Sequence, residues 1–268
     1  MPSLQTSYSK EIAKELGKIA VYLPGEEITV GDIIKFPYGK KLFKSSPTGT
    51  FTRVTNLKNL GITYDEPKES VTPDSYQFTS KDSVDIHFNV DAKLGSSITD
   101  FPKGESGVKI SLSEEGAIFF YAIDCKKREL LDIPALQNQI NDQGKTLVWD
   151  DTFLVTSVTI ANKALVIQSN SKSSELILGG DIKGLQGSKA IELDVQSKIH
   201  IKKQRGNVFI KNWSDDVTVF MDVVRFKKKV FGRKKSHLTE EPFLDNDPSL
   251  SSIELEVVNI GEVINAKL

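Results

Sequence analysis

Between Val84 and Leu94 apolar and polar residues alternate without a break. Val84, Ile86, Phe88, Val90, Ala92 and Leu94 share one parity, and Asp85, His87, Asn89, Asp91 and Lys93 share the other. A period-two run of this length predicts a strand with one dry face and one wet face. A polar loop rich in Gly, Ser and Pro follows over 95–107, and VKISL and AIFFYAI then predict returning strands. The pattern recurs in IELDVQSKIHI, where Ile191, Leu193, Val195, Ile199 and Ile201 oppose Glu192, Asp194, Gln196, Lys198 and His200; Ser197 is the soft position. Thr152 to Ile167 predicts another long strand, alternating less strictly, and VTVFMDVVRF a shorter, more fully buried one. Two long hairpins, roughly 76–123 and 152–205, thus share a plan of long strand, polar glycine-containing loop, long strand.

Helical signals are few. Ser7 to Leu16 predicts a short helix with Ile12 and Leu16 on one face, Ser7 or Ser9 as its cap and Gly17 as its stop. LLDIPALQNQINDQG predicts a second, with Asp132 at the cap, Pro134 in the first turn and Gly144 at the end. GDIIKF suggests a short helical turn. The expected fold class is α+β: a twisted, mostly antiparallel sheet with long β-hairpins and a few short helices.

Composition is that of an ordinary globular chain, 38% hydrophobic and 26% charged over 268 residues, with a formal net charge of −1. The charge is unevenly placed. From Lys198 to Lys235 twelve Lys/Arg face three acids, which points to an anionic partner. Lys10, Lys14 and Lys18 form a basic stripe at i, i+4 and i+8, readable as a solvated helix face. A single cysteine, Cys125, excludes an internal disulfide and fits a reducing compartment. The N-terminal residues lack the apolar core of a signal peptide, and no apolar run reaches the length of a membrane-spanning helix, so a cytoplasmic protein is expected.

Catalytic signatures are missing. The sequence holds no G-x-S-x-G, H-E-x-x-H or P-loop, and its three histidines (His87, His200, His237) are scattered. Asp245, Asp247, Ser249 and Glu256 echo a calcium loop, but Pro248 intrudes and the glycine at the sixth position is absent. No cofactor, metal or small-molecule substrate is expected, and the chain reads as a non-enzyme.

Strict alternation over about 9–11 residues is first of all that of a soluble sheet, and it also fits a membrane β-barrel with one face to lipid and one to an aqueous lumen. The stretches ELGKIAVYLPGEEITVGDII, EGAIFFYAIDCKKRELLDIPALQNQI, DTFLVTSVTIANKALVIQS and IKGLQGSKAIELDVQSK, followed by VFMDVVRF, resemble the pore-forming domain of the gasdermin family, most closely its small bacterial members. The resemblance covers about residues 8–226. It implies a latent effector that binds acidic membranes, assembles into a large homo-oligomeric β-barrel and kills its own cell in defence. An inhibitory C-terminal part, removed by a protease, would hold it cytoplasmic until it moves to the plasma (inner) membrane. On that resemblance Lys10, Lys14 and Lys18 would meet lipid headgroups, joined by Lys227, Lys228, Lys229, Arg233, Lys234 and Lys235. The inserting strands would be 76–94, 108–123, 152–168 and 190–205, with Val84, Ile86, Phe88, Val90, Leu94, Ile191, Leu193, Val195, Ile199 and Ile201 on their apolar face. Ile98, Phe101, Leu176, Ile177 and Leu178 would sit near the loop tips.

The chain departs from the family in two ways. Residues 2–7 offer no cysteine for lipidation, and only 42 residues follow Phe226, too few for a helical inhibitory domain. The expected division is a pore-forming domain over 1–226, a charged segment over 227–252 open to cleavage, and a short apolar tail over 253–268. In that tail Ile253, Leu255, Val257, Ile260 and Ile264 would cover a groove, or simply form the last strand of the fold. The alternative function is a non-enzymatic β-rich binding module whose basic region docks nucleic acid or an acidic partner.

Overall fold

The computed structural model describes residues 4–22, 27–39, 46–47, 50–80, 83–89, 107–143, 151–179, 200–213, 216–230 and 251–264. The N-terminal part holds helix α1 (Leu4–Leu16), strands β1 (Ile19–Ala20), β2 (Asp32–Lys35), β3 (Tyr38–Gly39), β4 (Ser46–Pro47) and β5 (Thr52–Asn56), and a 3-10 turn (Leu57–Leu60). The middle holds β6 (Lys68–Glu69), β7 (Asp74–Thr79), β8 (Val84–Asn89), β9 (Gly107–Leu112), β10 (Ile118–Glu129) and α2 (Ile133–Gln143). Then come β11 (Phe153–Ser169), β12 (Ser174–Gly179), β13 (His200–Arg205), β14 (Val208–Trp213), β15 (Val217–Val230), β16 (Ser251–Val257) and α3 (Ile260–Ile264). Every strand pairing among the described residues is antiparallel, so the α+β class expected from the sequence holds.

A ten-stranded sheet carries the path β1-β15-β11-β10-β6, with β7 beside β10, β14 and β2 beside β11, β5 beside β2, and β16 beside β15. A four-stranded sheet runs β8-β9-β12-β13. The 17-residue β11 is the spine, and both its faces are buried. Phe153 and Val155 pack with Ala13 of α1 and with Val263 and Ile264 of α3, whereas Leu154 packs with Leu136 and Ile140 of α2. Two dry faces are why its sequence alternates poorly. Farther along, Ala164 and Val166 meet Tyr8 and Ile12 of α1, and Leu165 and Ile167 meet Val108, Ile110, Leu112, Leu176 and Leu178 of the small sheet.

The small sheet is the large one folded back. Strands β7, β10, β11 and β14 lie side by side in the large sheet, and their chain neighbours β8, β9, β12 and β13 lie in the same order in the small one. All four crossings fall along one crease, at 79–84, 112–118, 169–174 and 205–208. In the central pair, Ile118 faces Gln168; six residues back on one strand and six forward on the other, Leu112 faces Ser174. Register is therefore kept across the crease. The outer pairs slip, by two residues between Thr79–Phe119 and Val84–Leu112 and by three between Ser169–Val208 and Glu175–Arg205.

Polar groups hold the crease. Ser169 and Ser171 hydroxyls lie 2.9 and 2.8 Å from that of Ser174, and the Asn207 amide donates to Ser171 Oγ at 3.3 Å. Gly206 turns β13 into β14 at φ +76°, and a Cβ there would lie 2.5 Å from the Ser173 carbonyl oxygen. Only glycine fits both demands.

Several sequence expectations need correction. Helix α1 begins at Leu4, so Ser7 and Ser9 are inside it and Ser9 is buried. GDIIKF forms strand β2, because Asp32, Ile33 and Ile34 are buried between β5 and β11. The described part of 76–94 divides at the crease into β7 and β8, which belong to different sheets. Leu176, Ile177 and Leu178 lie in β12 and are buried, not at a loop tip; it is β12, not β11, that pairs with β13.

Candidate membrane-facing surface and its C-terminal cover

The amphipathic α1 presents Tyr8, Ile12 and Ala13 to the large sheet and leaves Lys14 exposed beside Glu15 at 3.1 Å. Gly17, at φ +61°, ends the helix by donating its N–H to the Ala13 carbonyl at 3.1 Å. Lys18 thus lies past the helix, and the expected three-lysine stripe reduces to Lys10 and Lys14 on one helix. Under α1, the Tyr8 ring meets Tyr22 at a tilt and Phe120 edge-on, its hydroxyl buried without a hydrogen-bond partner among the described residues. Burial pushes the Tyr8 phenol far above its ordinary pKa.

The basic region begins inside a strand. β15 continues past Phe226 to Val230, so the expected boundary at 226/227 cuts a paired strand; Lys227, Lys228 and Lys229 stand opposite Glu254, Ile253 and Ser252 of β16. Arg225 reaches Glu262 at 3.0 Å and lies over the Phe153 ring, and Lys227 reaches Glu256 at 2.9 Å. The hydrogen bond from Lys227 holds the Glu256 carboxyl below its usual range and raises the Lys227 ammonium in return. Arg233, Lys234 and Lys235 lie outside the described residues.

The last described residues dock on both faces of the sheet. Ile253 is buried with Phe226, Leu136 and Ile140, Leu255 packs on the same cluster, and Ile264 is buried with Ile260 beside it on the α1 face. Each fully buried aliphatic side chain contributes about 1.5–3 kcal/mol. Val257 departs from expectation: it is 85% exposed, because β16 ends there opposite Val224. The outer edge of β16 meets α2. Asn141 donates to the Ile253 carbonyl at 3.0 Å and accepts from its N–H at 2.6 Å, while Gln137 accepts from the Leu255 N–H at 2.9 Å. The sequence showed α2 but not this role; the i, i+4 spacing of two amide side chains was its one trace.

In the small sheet the alternation of β8 holds as far as it is described. Val84 and Ile86 pack inward, whereas Asp85 and His87 are exposed and 2.8 Å apart. Ile201 is 51% exposed, since β13 bulges between its pairings with Ile177 and Leu178. Phe88 lies in β8. Val90, Leu94, Ile191, Leu193, Val195 and Ile199 lie outside the described residues, as do Ile98 and Phe101.

A cavity of about 760 Å³ lies between the 3-10 turn and β10, lined by Lys58, Tyr64, Glu66, Glu69, Arg128 and Val158 among others. Arg128, with Lys126 beside it, binds Glu69 at 2.9 Å, and Lys58 sits over the Tyr64 ring. Among the described residues no group of three metal-ligating side chains occurs, and no helix is long and apolar enough to cross a membrane. Cys125 is buried and its thiol is pushed up to about 12 by desolvation, aided by Asp74 and Asp124.

The sequence matches no known family model and no curated protein. Among solved structures the chain is similar to one described as the cryo-EM structure of the gasdermin A3 membrane pore. The two share 10% identity and a TM-score of 0.32, over 91% of this chain and 96% of that one.

Proposed function

We propose that this chain is a non-enzymatic, latent pore-forming protein whose small sheet opens at the crease to enter a membrane. The observation that carries the reading is the register kept between β9–β10 and β11–β12 across the crease. A central pair that never slips can straighten without exchanging a single partner, giving two continuous antiparallel strands of over twenty residues.

The parity of the crossings supports the same reading. In a straight strand, residues an even number apart share a face. Val108, Ile110 and Leu112 would then join Ile118, Phe120 and Ala122, and Leu176 and Leu178 would join Ala164 and Val166. Val84 and Ile86 would likewise join Phe78. All of these joined residues of the large sheet lie in the cluster under α1. Straightening therefore gathers the apolar residues of three strands on one face, the face that carries α1 with Lys10 and Lys14. Such a surface fits lipid tails below and anionic headgroups at the helix, each lysine near such a surface contributing about 1 kcal/mol.

In the resting chain β16 covers the edge of β15, and Glu262 of α3 and Glu256 of β16 pair with Arg225 and Lys227. Proteolysis between 231 and 250 would free that edge for a neighbouring copy and uncover both cations, leading to oligomerisation, membrane permeabilisation and cell death. The nucleic-acid alternative gains nothing comparable, since two of its cations already face carboxylates. The test compares release of a trapped dye from vesicles containing anionic lipid. Intact protein should leave them sealed, and protein cut within 231–250 should empty them as it oligomerises. Cut protein that stays monomeric with the vesicles sealed overturns the reading.

A further inference from the structure

We propose that β15 and α2 form a slot for an extended peptide strand, read by Gln137 and Asn141, and that residues 251–264 occupy it as a displaceable ligand. The slot has three sides. On one, the edge of β15 supplies the ladder from Val224 to Val230. On the other, α2 supplies Gln137 and Asn141 at i, i+4. Its floor is Phe226, Leu136, Ile140 and Leu154, which receives Ile253 and Leu255.

The two amides do what a neighbouring strand would do. Asn141 exchanges two hydrogen bonds with the backbone of Ile253, and Gln137 takes the N–H of Leu255, two residues on. An exposed sheet edge normally presents these groups unpaired and open to any other chain. Here side chains close them, so the occupant is read by its backbone at positions i and i+2 and by apolar side chains at the same positions. That is strand addition with a helix as second wall. The ligand class is an extended segment with alternate apolar residues and flanking acids, matching Glu256 and Glu262 against Lys227 and Arg225.

This deepens the reading above, but its test does not involve membranes. Amide exchange of intact protein should show Ile253 and Leu255 opening together, ahead of the β10–β11 amides. Asn141→Ala should speed exchange at Ile253 by about tenfold and leave β10–β11 unchanged, and Asn141→Asp, which still accepts but cannot donate, should fall between. In protein cut within 231–250, a labelled 251–264 peptide should exchange into the slot, and a scrambled peptide should not. Exchange of Ile253 and Leu255 in step with β11 in wild type and variants overturns the proposal, as does cut protein that retains its tail until it unfolds. If the peptide binds and the cut protein still leaves vesicles sealed, the slot stands and the pore reading falls.

Discussion

Leu112 lies opposite Ser174 in the register that Ile118 keeps with Gln168 on the far side of the crease. On the proposed reading, this central pair can lose its reversal without re-pairing. The straightened form which that reading calls for has a ruler in it. Ser75 and His87, exposed residues twelve apart on β7 and β8, would stand about 40 Å apart on a straight strand at ~3.3 Å per residue. Cysteines placed at both positions, spin-labelled, should report a shorter distance in solution and about 40 Å in vesicles after cleavage. An unchanged distance in leaking vesicles would locate the opening elsewhere.

Those labels need a silent background, which Cys125 supplies. Its thiol is buried against Ala122 and Ala161 and is pushed up to about 12, so thiolate is scarce at neutral pH. Native protein should stay unmodified by a charged thiol reagent over the period in which urea-unfolded protein reacts fully.

Acid should loosen the C-terminal strand. Glu256 titrates below its ordinary 4.5 because Lys227 donates to it, with Arg225 adding to the field. A depressed carboxyl contributes to docking above its free pKa, and that contribution is lost as pH falls through the depressed value. Lys227, raised by the same bond and by Glu254, loses its share only as pH climbs through its raised value, beyond its ordinary 10.5. Docking should be flat across neutral pH and weaken below about 4.5, read as tail dissociation from cut protein. Salt at about 0.5 M should flatten the acid limb, because both side chains are exposed.

How much of this was legible in the sequence depends on which faces were wet. Val84 to His87 alternates because one face of β8 meets solvent, so its period-two signal survived. β12 was missed because SELILG is buried along Leu176, Ile177 and Leu178 and leaves no alternation to read. Its neighbour β11 hid the crease for the same reason: a strand dry on both faces shows no change of pattern where it ends. The serines at 169, 171, 173 and 174 marked a break, but turn composition does not say that four breaks line up. The basic run from Lys227 looked like linker because Lys227, just past the buried Phe226, turns to an ion pair with Glu256, and partners across the sheet have no sequence signature. Gln137 and Asn141 were invisible as contacts because their ligand is backbone.

The glycine at the crease should be hard to replace. Gly206→Ala meets a positive φ and the Ser173 carbonyl oxygen at 2.5 Å, and backbone cannot retreat as a side-chain tip does. The expected loss is about 1–3 kcal/mol, seen as a lower urea midpoint. Gly17→Ala, with a positive φ but open space around it, should cost less.

Tyr8 points to a weakness built into the seat of α1. Its hydroxyl is buried without a partner among the described residues, and Gln168, which donates to the Leu4 carbonyl at 2.8 Å, leaves its own Oε1 unmatched beneath the same helix. A buried unsatisfied polar atom costs about 1–3 kcal/mol. Tyr8→Phe keeps the ring contacts with Tyr22 and Phe120 and removes that cost, so it should raise stability by about 1 kcal/mol in urea unfolding. If α1 must shift when the sheet beneath it straightens, the same variant should leak vesicles more slowly after a cut within 231–250, although that segment, Lys10 and Lys14 are untouched. A destabilised Tyr8→Phe would mean that the hydroxyl is bonded in solution, and α1 would then be firmly seated.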